Sequence, residues 1–364
     1  MRYVPAMDGL RGIAILLVLL FHSGLLDCGW MGVNLFFVLS GYLITQTLLP
    51  VKDQSLGFYL KRFWWRRSLR IFPLYYTFIA LCVLLFLLTG LPAKTWEELP
   101  YLLSYSINLR GLFTLHRNPE FYNYLWSLAV EEQFYLFWPL VAFALPRKWI
   151  PRAALTIIVL SPLIRFVLGE YWAGTNGSRE GIGSAIYVLS FTQLDGFMVG
   201  AFLATTPLSL SGRWVKWGLM GGLLALAGLG TWTLWEMEGL HWSSLGFPIF
   251  NWRLWQHVWV YSLIYLCFGG LVWWAENGKG WGKRMLEWRP LVLLGWMSYG
   301  LYLVHLPIQT IMEKVLPLPE TYLGRILYFL PYAAISIGLA WLSRRYFESY
   351  FLAFKSRRFQ LPDN

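Results

Sequence analysis

Ten times along this chain the polar residues thin out for about 20 positions, and that recurrence constrains the fold more than any motif does. Roughly 20 apolar residues is the length an α-helix needs to cross the ~30 Å hydrocarbon core of a bilayer. The stretches lie near 8–27, 31–50, 70–90, 124–146, 153–171, 183–205, 217–236, 254–276, 291–314 and 323–344. Of the 364 residues only 13% are charged and 57% are hydrophobic, so a soluble domain would have to expose much of its apolar surface. Lipid is the solvent that suits such a chain. The expected fold is all-α, a polytopic membrane protein of about ten transmembrane helices. No small-residue cleavage site follows the first stretch, which is therefore read as a membrane helix and not a signal peptide.

The basic residues orient this map. With the N-terminus in the cytoplasm, 22 of the 30 Lys and Arg fall on inside segments, while Lys94, Arg110, Arg117, Arg179 and Arg253 fall outside. That asymmetry is the one insertion imposes on bacterial membrane proteins, and it puts both termini in the cytoplasm. A basic inner face on anionic lipid accounts for the net charge of +11, so no nucleic-acid partner is needed. Cys28, Cys82 and Cys267 stand alone, with neither disulfide nor metal spacing. The longest segment between spans, 91–123, has an apolar piece from Leu99 to Leu115 that could re-enter the membrane or lie on it.

Polar residues inside spans are costly and mark the places where chemistry could sit. Arg11 and His22 are eleven residues apart, about three turns plus 20°, so they share a face of the first helix some 16 Å apart along its axis. They are a catalytic pair, or else a snorkelling Arg and a structurally bonded His. Asn34 lies one turn into the second span, near the depth of His22, where it could orient the imidazole or hold a carbonyl oxygen. The stretch KRFWWRRSLR packs Lys61, Arg62, Arg66, Arg67 and Arg70 into ten residues. Arg67 and Arg70, three apart, can grip one phosphate as guanidinium forks, or the cluster is an ordinary anchor. Glu131 and Glu132 sit early in the fourth span about 100° apart. One of them could serve the site, or form a structural ion pair with Arg165. Ser298, Tyr302 and His305 form one face of the ninth span, with His305 the weaker histidine because no charge accompanies it. A Walker loop, an HExxH motif and a Gly-x-Ser-x-Gly elbow are all absent from the sequence.

The segments MDGLRGIAILLVLLFH, GVNLFFVLSGYLIT, RRSLRIFPLYY, LWSLAVEEQFYLFWP and SYGLYLVHLPI together resemble integral-membrane acyltransferase family 3. Members of that family acylate bacterial O-antigens, exopolysaccharides, peptidoglycan and some macrolides. The resemblance implies one acyltransferase domain over 1–345 and a short cytoplasmic tail, 346–364. It implies a bacterial inner-membrane O-acyltransferase that uses acyl-CoA, usually acetyl-CoA, needs no metal, and acts on a glycan or lipid-linked sugar. Arg11 and His22 take the place of the family's acyl-transfer pair, and Arg67 and Arg70 its donor-handling pair. Glu131 matches the family's acidic position better than Glu132. The sixth-span motif departs from the pattern, with Gln193 where an Arg often precedes the Asp, which leaves the role of Asp195 open. Many relatives carry a C-terminal esterase-like domain; with only about 20 residues after the last span, none is expected here.

The expected mechanism docks the donor phosphates on Arg66, Arg67 and Arg70. The thioester reaches His22, which acts as general base or as transient acyl carrier. Asn34 would help hold the donor or oxyanion, and Glu131 would orient His22 or another polar partner. A transporter or flippase would also show ten spans and buried carboxylates, but with a repeat or broken helices, neither of which the sequence displays.

Overall fold

A computed structural model describes residues 3–89, 94–112, 122–175, 178–206, 212–236, 242–249 and 255–354. Arg117, Arg253, Lys355, Arg357 and Arg358 lie outside the described residues. The chain is helical throughout, with no strand among the described residues. In order come α1 (Pro5–His22), α2 (Met31–Leu48), α3 (Leu56–Thr89) and the short α4 (Lys94–Leu103). Next are α5 (Trp126–Ala144), α6 (Ile150–Gly174), α7 (Arg179–Val188), α8 (Leu194–Thr205) and α9 (Gly212–Glu236). Then follow α10 (Gln256–Asn277), α11 (Trp281–Leu286), α12 (Arg289–Val315), α13 (Tyr322–Leu342) and α14 (Ser349–Ala353). A π-helical turn, Ser343–Glu348, joins the last two, so the helix carries on through the first residues expected to be tail.

Among the described residues, eight helices are long and apolar enough to cross a membrane. The expected fourth span is α5, a continuous 19-residue helix whose polar Glu131–Gln133 run dilutes its apolarity. The expected sixth span is broken: α7 stops at Val188, a short 3₁₀ turn covers Ser190–Thr192, and α8 begins at Leu194. The third differs too. Its helix starts at Leu56, so the basic stretch taken as a cytoplasmic segment lies in the first half of one helix about 51 Å long.

The bundle is apolar on its outer surface and sets polar groups within its apolar core. Arg165 and seven tyrosines are among its largest fully buried side chains, while Leu88, Leu163, Val159 and Trp235 face outward. Close crossings depend on glycine. A Cβ on Gly12 would lie 2.1 Å from the Leu291 carbonyl oxygen and one on Gly295 1.8 Å from that of Asp8, so α1 and α12 meet backbone to backbone. A Cβ on Gly41 would fall 1.9 Å from the Phe197 carbonyl oxygen, which brings α2 equally close to α8.

Interrupted backbone at membrane depth needs partners for the groups it frees. Thr192 donates its hydroxyl to the carbonyls of Ile186 and Leu189, at 2.6 and 2.7 Å. Arg165 donates to the Thr192 carbonyl at 2.6 Å and grips Asp195 with both guanidinium nitrogens at 3.1 and 2.9 Å. Both partners are fully buried. Arg165 therefore pairs with Asp195 and not with Glu131, and it supplies from α6 the guanidinium that position 193 lacks. Gln193 instead accepts from the Tyr265 hydroxyl.

Gln133 ties this break to a second one. After α4 the chain turns at Tyr105, in left-handed backbone at φ 52°, and returns as a 3₁₀ turn over Ile107–Leu112. Tyr75 and Tyr76, past the middle of α3, donate to the carbonyls of Leu102 and Leu103 at 3.0 and 3.1 Å. Of the two placements open to this apolar piece, the described part, 99–112, therefore docks deep against α3. Gln133 donates to the Tyr105 carbonyl and to Asn108 Oδ1, both at 2.9 Å, and accepts from Ser190.

Losing one partner of the Arg165–Asp195 pair strands a buried charge, at a cost of about 3–5 kcal/mol. Arg165→Met and Asp195→Asn are each expected to lower the melting temperature of detergent-solubilised protein sharply. The double variant Arg165→Met/Asp195→Leu should lose less than the sum. If Asp195→Asn melts like wild type yet transfers nothing, the pair belongs to the chemistry and not to the scaffold.

Candidate active site

The α1–α12 crossing sets Arg11 beside Ser298: the guanidinium donates to Ser298 Oγ at 3.0 Å and lies 3.6 Å from Asp8. Around Arg11 is a chamber of about 90 Å³, walled by Phe36, Phe37 and Ser40 of α2 and by Arg67 and Arg70 of α3. Ser127, Glu131, Glu132 and Tyr135 of α5 and Ser298, Tyr299 and Tyr302 of α12 complete it. The third-span arginines thus reach the same space as Arg11.

Inside the chamber Glu131 is fixed. Ser40 donates to its Oε1 at 2.9 Å, and the Tyr135 hydroxyl lies 3.1 Å from its Oε2 and 3.0 Å from Ser40 Oγ. The Arg67 guanidinium sits 4.8 Å above the Tyr135 ring. Glu131 therefore orients Ser40 and Tyr135, and it is this other polar partner, not His22, that the structure gives it. Tyr135, one helical turn after Glu131, was findable from that spacing.

A basin of about 690 Å³ opens from the chamber and shares Arg11, Leu43, Arg67 and Arg70 with it. Arg62, Arg66 and Arg344 line the basin as well, against only two carboxylates, Asp8 and Glu276. Among the described residues, Arg62, Arg66, Arg67 and Arg70 form no ion pair. Arg344 arrives on the π-helical turn, 3.1 Å from Glu348 and 4.4 Å from the Trp296 ring. Nothing within its own stretch of sequence marked it for the site.

His22 ends α1 and does not line the chamber. Its ring meets that of His305 with centroids 5.1 Å apart, and its backbone carbonyl accepts from Gln309 at 2.8 Å. His305 is fully buried; Nδ1 lies 2.6 Å from the Tyr302 carbonyl oxygen, so that nitrogen carries the proton, while Nε2 has no hydrogen-bond partner among the described residues. Tyr302 stands between the two regions. Its hydroxyl donates to the Tyr124 carbonyl at 2.8 Å and contacts Ser127 at 2.6 Å, and its ring is 5.3 Å from that of His305. The histidine that looked weaker in the sequence is thus the partner of the stronger one.

Asn34 is placed elsewhere. It is fully buried and absent from the chamber wall, its amide beside the Tyr265 hydroxyl and neither amide atom in a hydrogen bond of ordinary geometry. Depth along a helix did not reveal the side it faces. Among the described residues no group of three or more His, Cys, Asp or Glu could hold a metal ion.

Residues 4–345 match the family model of an acyltransferase domain, Acyl_transf_3. The chain belongs to acyltransferase family 3. It is 30% identical to the peptidoglycan O-acetyltransferase OatA of Listeria monocytogenes, an alignment covering 100% of this chain and 59% of that protein. With the O-acetyltransferase OatA of Staphylococcus aureus the identity is 28%, over 84% of this chain and 51% of the relative. The putative peptidoglycan O-acetyltransferase YrhL of Bacillus subtilis is 30% identical, over 84% of this chain and 49% of its own length. The chain thus spans about half the length of the curated relatives it matches. No solved structure matches it. Membership of an acyltransferase family weighs against the transporter reading. The broken sixth span removes the argument from unbroken helices that had counted against that reading.

Proposed function

We propose that the protein is a bacterial inner-membrane O-acetyltransferase. It takes an acetyl group from cytoplasmic acetyl-CoA and places it on a sugar hydroxyl at the outer face. Peptidoglycan is the first acceptor to test, since two of the relatives carry its name. The observation that carries this reading is the basin, in which four arginines of one helix stand without ion pairs among the described residues, at the mouth of a small polar chamber. Such a cavity suits a polyanion whose reactive end must enter the bundle.

On this reading the donor phosphates meet Arg66, Arg67 and Arg70 and the thioester extends into the chamber. There Arg11, steadied by Ser298, holds the donor's arm, along which the thioester reaches on past Tyr302 toward His22. Glu131 acts through Ser40 and Tyr135 as a positioning residue. His22 lies about 16 Å further along α1, beyond Tyr302, and serves the acceptor side. Its imidazole accepts the proton of the sugar hydroxyl as that oxygen bonds to the acyl carbon; the C–S bond breaks and the thiolate of CoA takes up a proton. In the two-step form the imidazole nitrogen bonds to the acyl carbon as the C–S bond breaks and the thiolate takes up a proton; the sugar oxygen then bonds to that carbon as the C–N bond breaks, and the freed imidazole takes up the hydroxyl proton. Labelled acetyl-CoA without acceptor separates the two: protein-bound label that disappears in His22→Ala marks the carrier route, and none marks direct transfer.

The orientation rests on the 22 inward basic residues. Reporter fusions after Arg70, Lys148 and Arg284 are expected to read cytoplasmic, and fusions near Arg117 and Arg179 external. A cytoplasmic signal at Arg117 would reverse the map and put His22 at the wrong face. The proposed activity itself is tested by consumption of labelled acetyl-CoA by purified protein with and without glycan. Consumption that never depends on a glycan, or never occurs, removes it.

A further inference from the structure

We infer that the basin contains a second anion subsite, formed by Tyr59, Arg62 and Arg66, which takes the 3′-phosphate of the donor nucleotide. This rests on the acyl-CoA reading above and narrows it: the donor is the complete 3′-phosphorylated coenzyme, not a pantetheine thioester as such.

Three independent features meet here. Positions 59, 62 and 66 are spaced by three and four, so they form a single stripe on α3. All three line the basin and none lines the inner chamber. Each also carries a buried polar atom without a hydrogen-bond partner among the described residues: Tyr59 Oη, Arg62 Nε and Arg66 Nε. Tyr59 is the most informative. Its side chain is fully buried, with its ring 5.1 Å from Phe143, yet the residue borders the basin and its hydroxyl has nothing among the described residues to bond. A buried hydroxyl and two guanidinium N–H groups left open on one stripe lose stability unless an acceptor completes them.

The ligand follows from spacing. Arg67 and Arg70 border the chamber and are the inner pair. The midpoint of Arg62 and Arg66 lies about 7 Å nearer the start of α3 than theirs, at 1.5 Å per residue. Two anionic groups several ångströms apart, the inner one next to the thioester arm, are what coenzyme A presents: a pyrophosphate, then a ribose 3′-phosphate. A single phosphate would fill only one of the two.

The test compares acetyl-CoA with 3′-dephospho-acetyl-CoA as donors for the full chain in detergent or liposomes. Wild type is expected to prefer acetyl-CoA in kcat/KM by about tenfold or more, the size of one charge-assisted hydrogen bond. In Arg62→Gln and in Tyr59→Phe, which keeps the buried ring, that preference should shrink toward unity through loss on acetyl-CoA alone. Arg67→Gln should weaken both donors alike. In wild type alone, adenosine 3′,5′-bisphosphate should compete with acetyl-CoA at least about tenfold better than AMP does. Equal use of the two donors, equal competition by the two nucleotides, or an undiminished preference in both variants would each overturn the subsite while leaving acetyl-CoA as donor. Failure of wild type to use either thioester would overturn the donor reading and the subsite with it.

Discussion

His22→Gln protein is expected to fold, insert and melt like wild type while transferring acyl groups at least about 10²-fold more slowly, and His22→Ala should match it. The reasoning begins with what the imidazole touches. His22 sits at the end of α1, where its ring packs against that of His305, a placement open to a scaffold role and to a chemical one. Glutamine keeps a hydrogen-bonding group of similar length, so a merely structural His22 would be largely replaced by it. A proton-moving or acyl-carrying His22 would not, because an amide can neither accept the hydroxyl proton at neutral pH nor carry an acyl group. His305→Gln is the companion variant. Its Nδ1 bond to the Tyr302 carbonyl fixes the ring against His22, so its removal should reduce kcat more mildly and leave donor KM unchanged. Near-normal turnover in His22→Gln would end the proposed mechanism without touching the family assignment.

What could be read from the residues differs by element for physical reasons. Arg11, Arg67 and Arg70 were legible one by one because a charge in or beside an apolar span stands out; that they share one chamber was not. Asn34 was misplaced because most of α2 is buried, with α8 closing on it through Gly41; no one face of that helix stands out as the working one. The break in the sixth span falls where Ser190, Thr192, Gln193 and Asp195 interrupt the apolar run, a dip too short to tell a broken helix from a continuous one that carries polar residues. What sustains it is a guanidinium from α6 and an amide from α5, both distant in sequence. His305 needed the same kind of knowledge: its worth lies in the ring opposite it, on α1. Arg344 is the extreme case, brought to Arg11 and Arg70 by a π-helical turn at the far end of the chain.

Arg67 and Arg70 give the second large effect. Replacing both with Ala is expected to raise the apparent KM for acetyl-CoA by about one to two orders of magnitude per arginine, since each charge-assisted hydrogen bond to a phosphate contributes about 1.5–3 kcal/mol to binding. Lysine at both positions should restore only part of this, because a point charge cannot form the planar fork. Stability separates this role from simple anchoring. In the folded protein neither arginine has an ion-pair partner among the described residues, and Arg11 and Arg344 share the same basin. Like charges held together without ion-pair partners repel, so neutral glutamine at 67 and 70 should leave the melting temperature unchanged or raise it. It should still weaken the donor as strongly as Ala does. Arg67 also gives up its place over the Tyr135 ring, worth about 0.5–2 kcal/mol for a part-buried pair, a loss that the relieved repulsion offsets. Weaker donor use with undiminished stability is the signature of charges kept for a ligand. A double variant that melts early yet binds acetyl-CoA normally would make the cluster a membrane anchor and return the donor site to an open question.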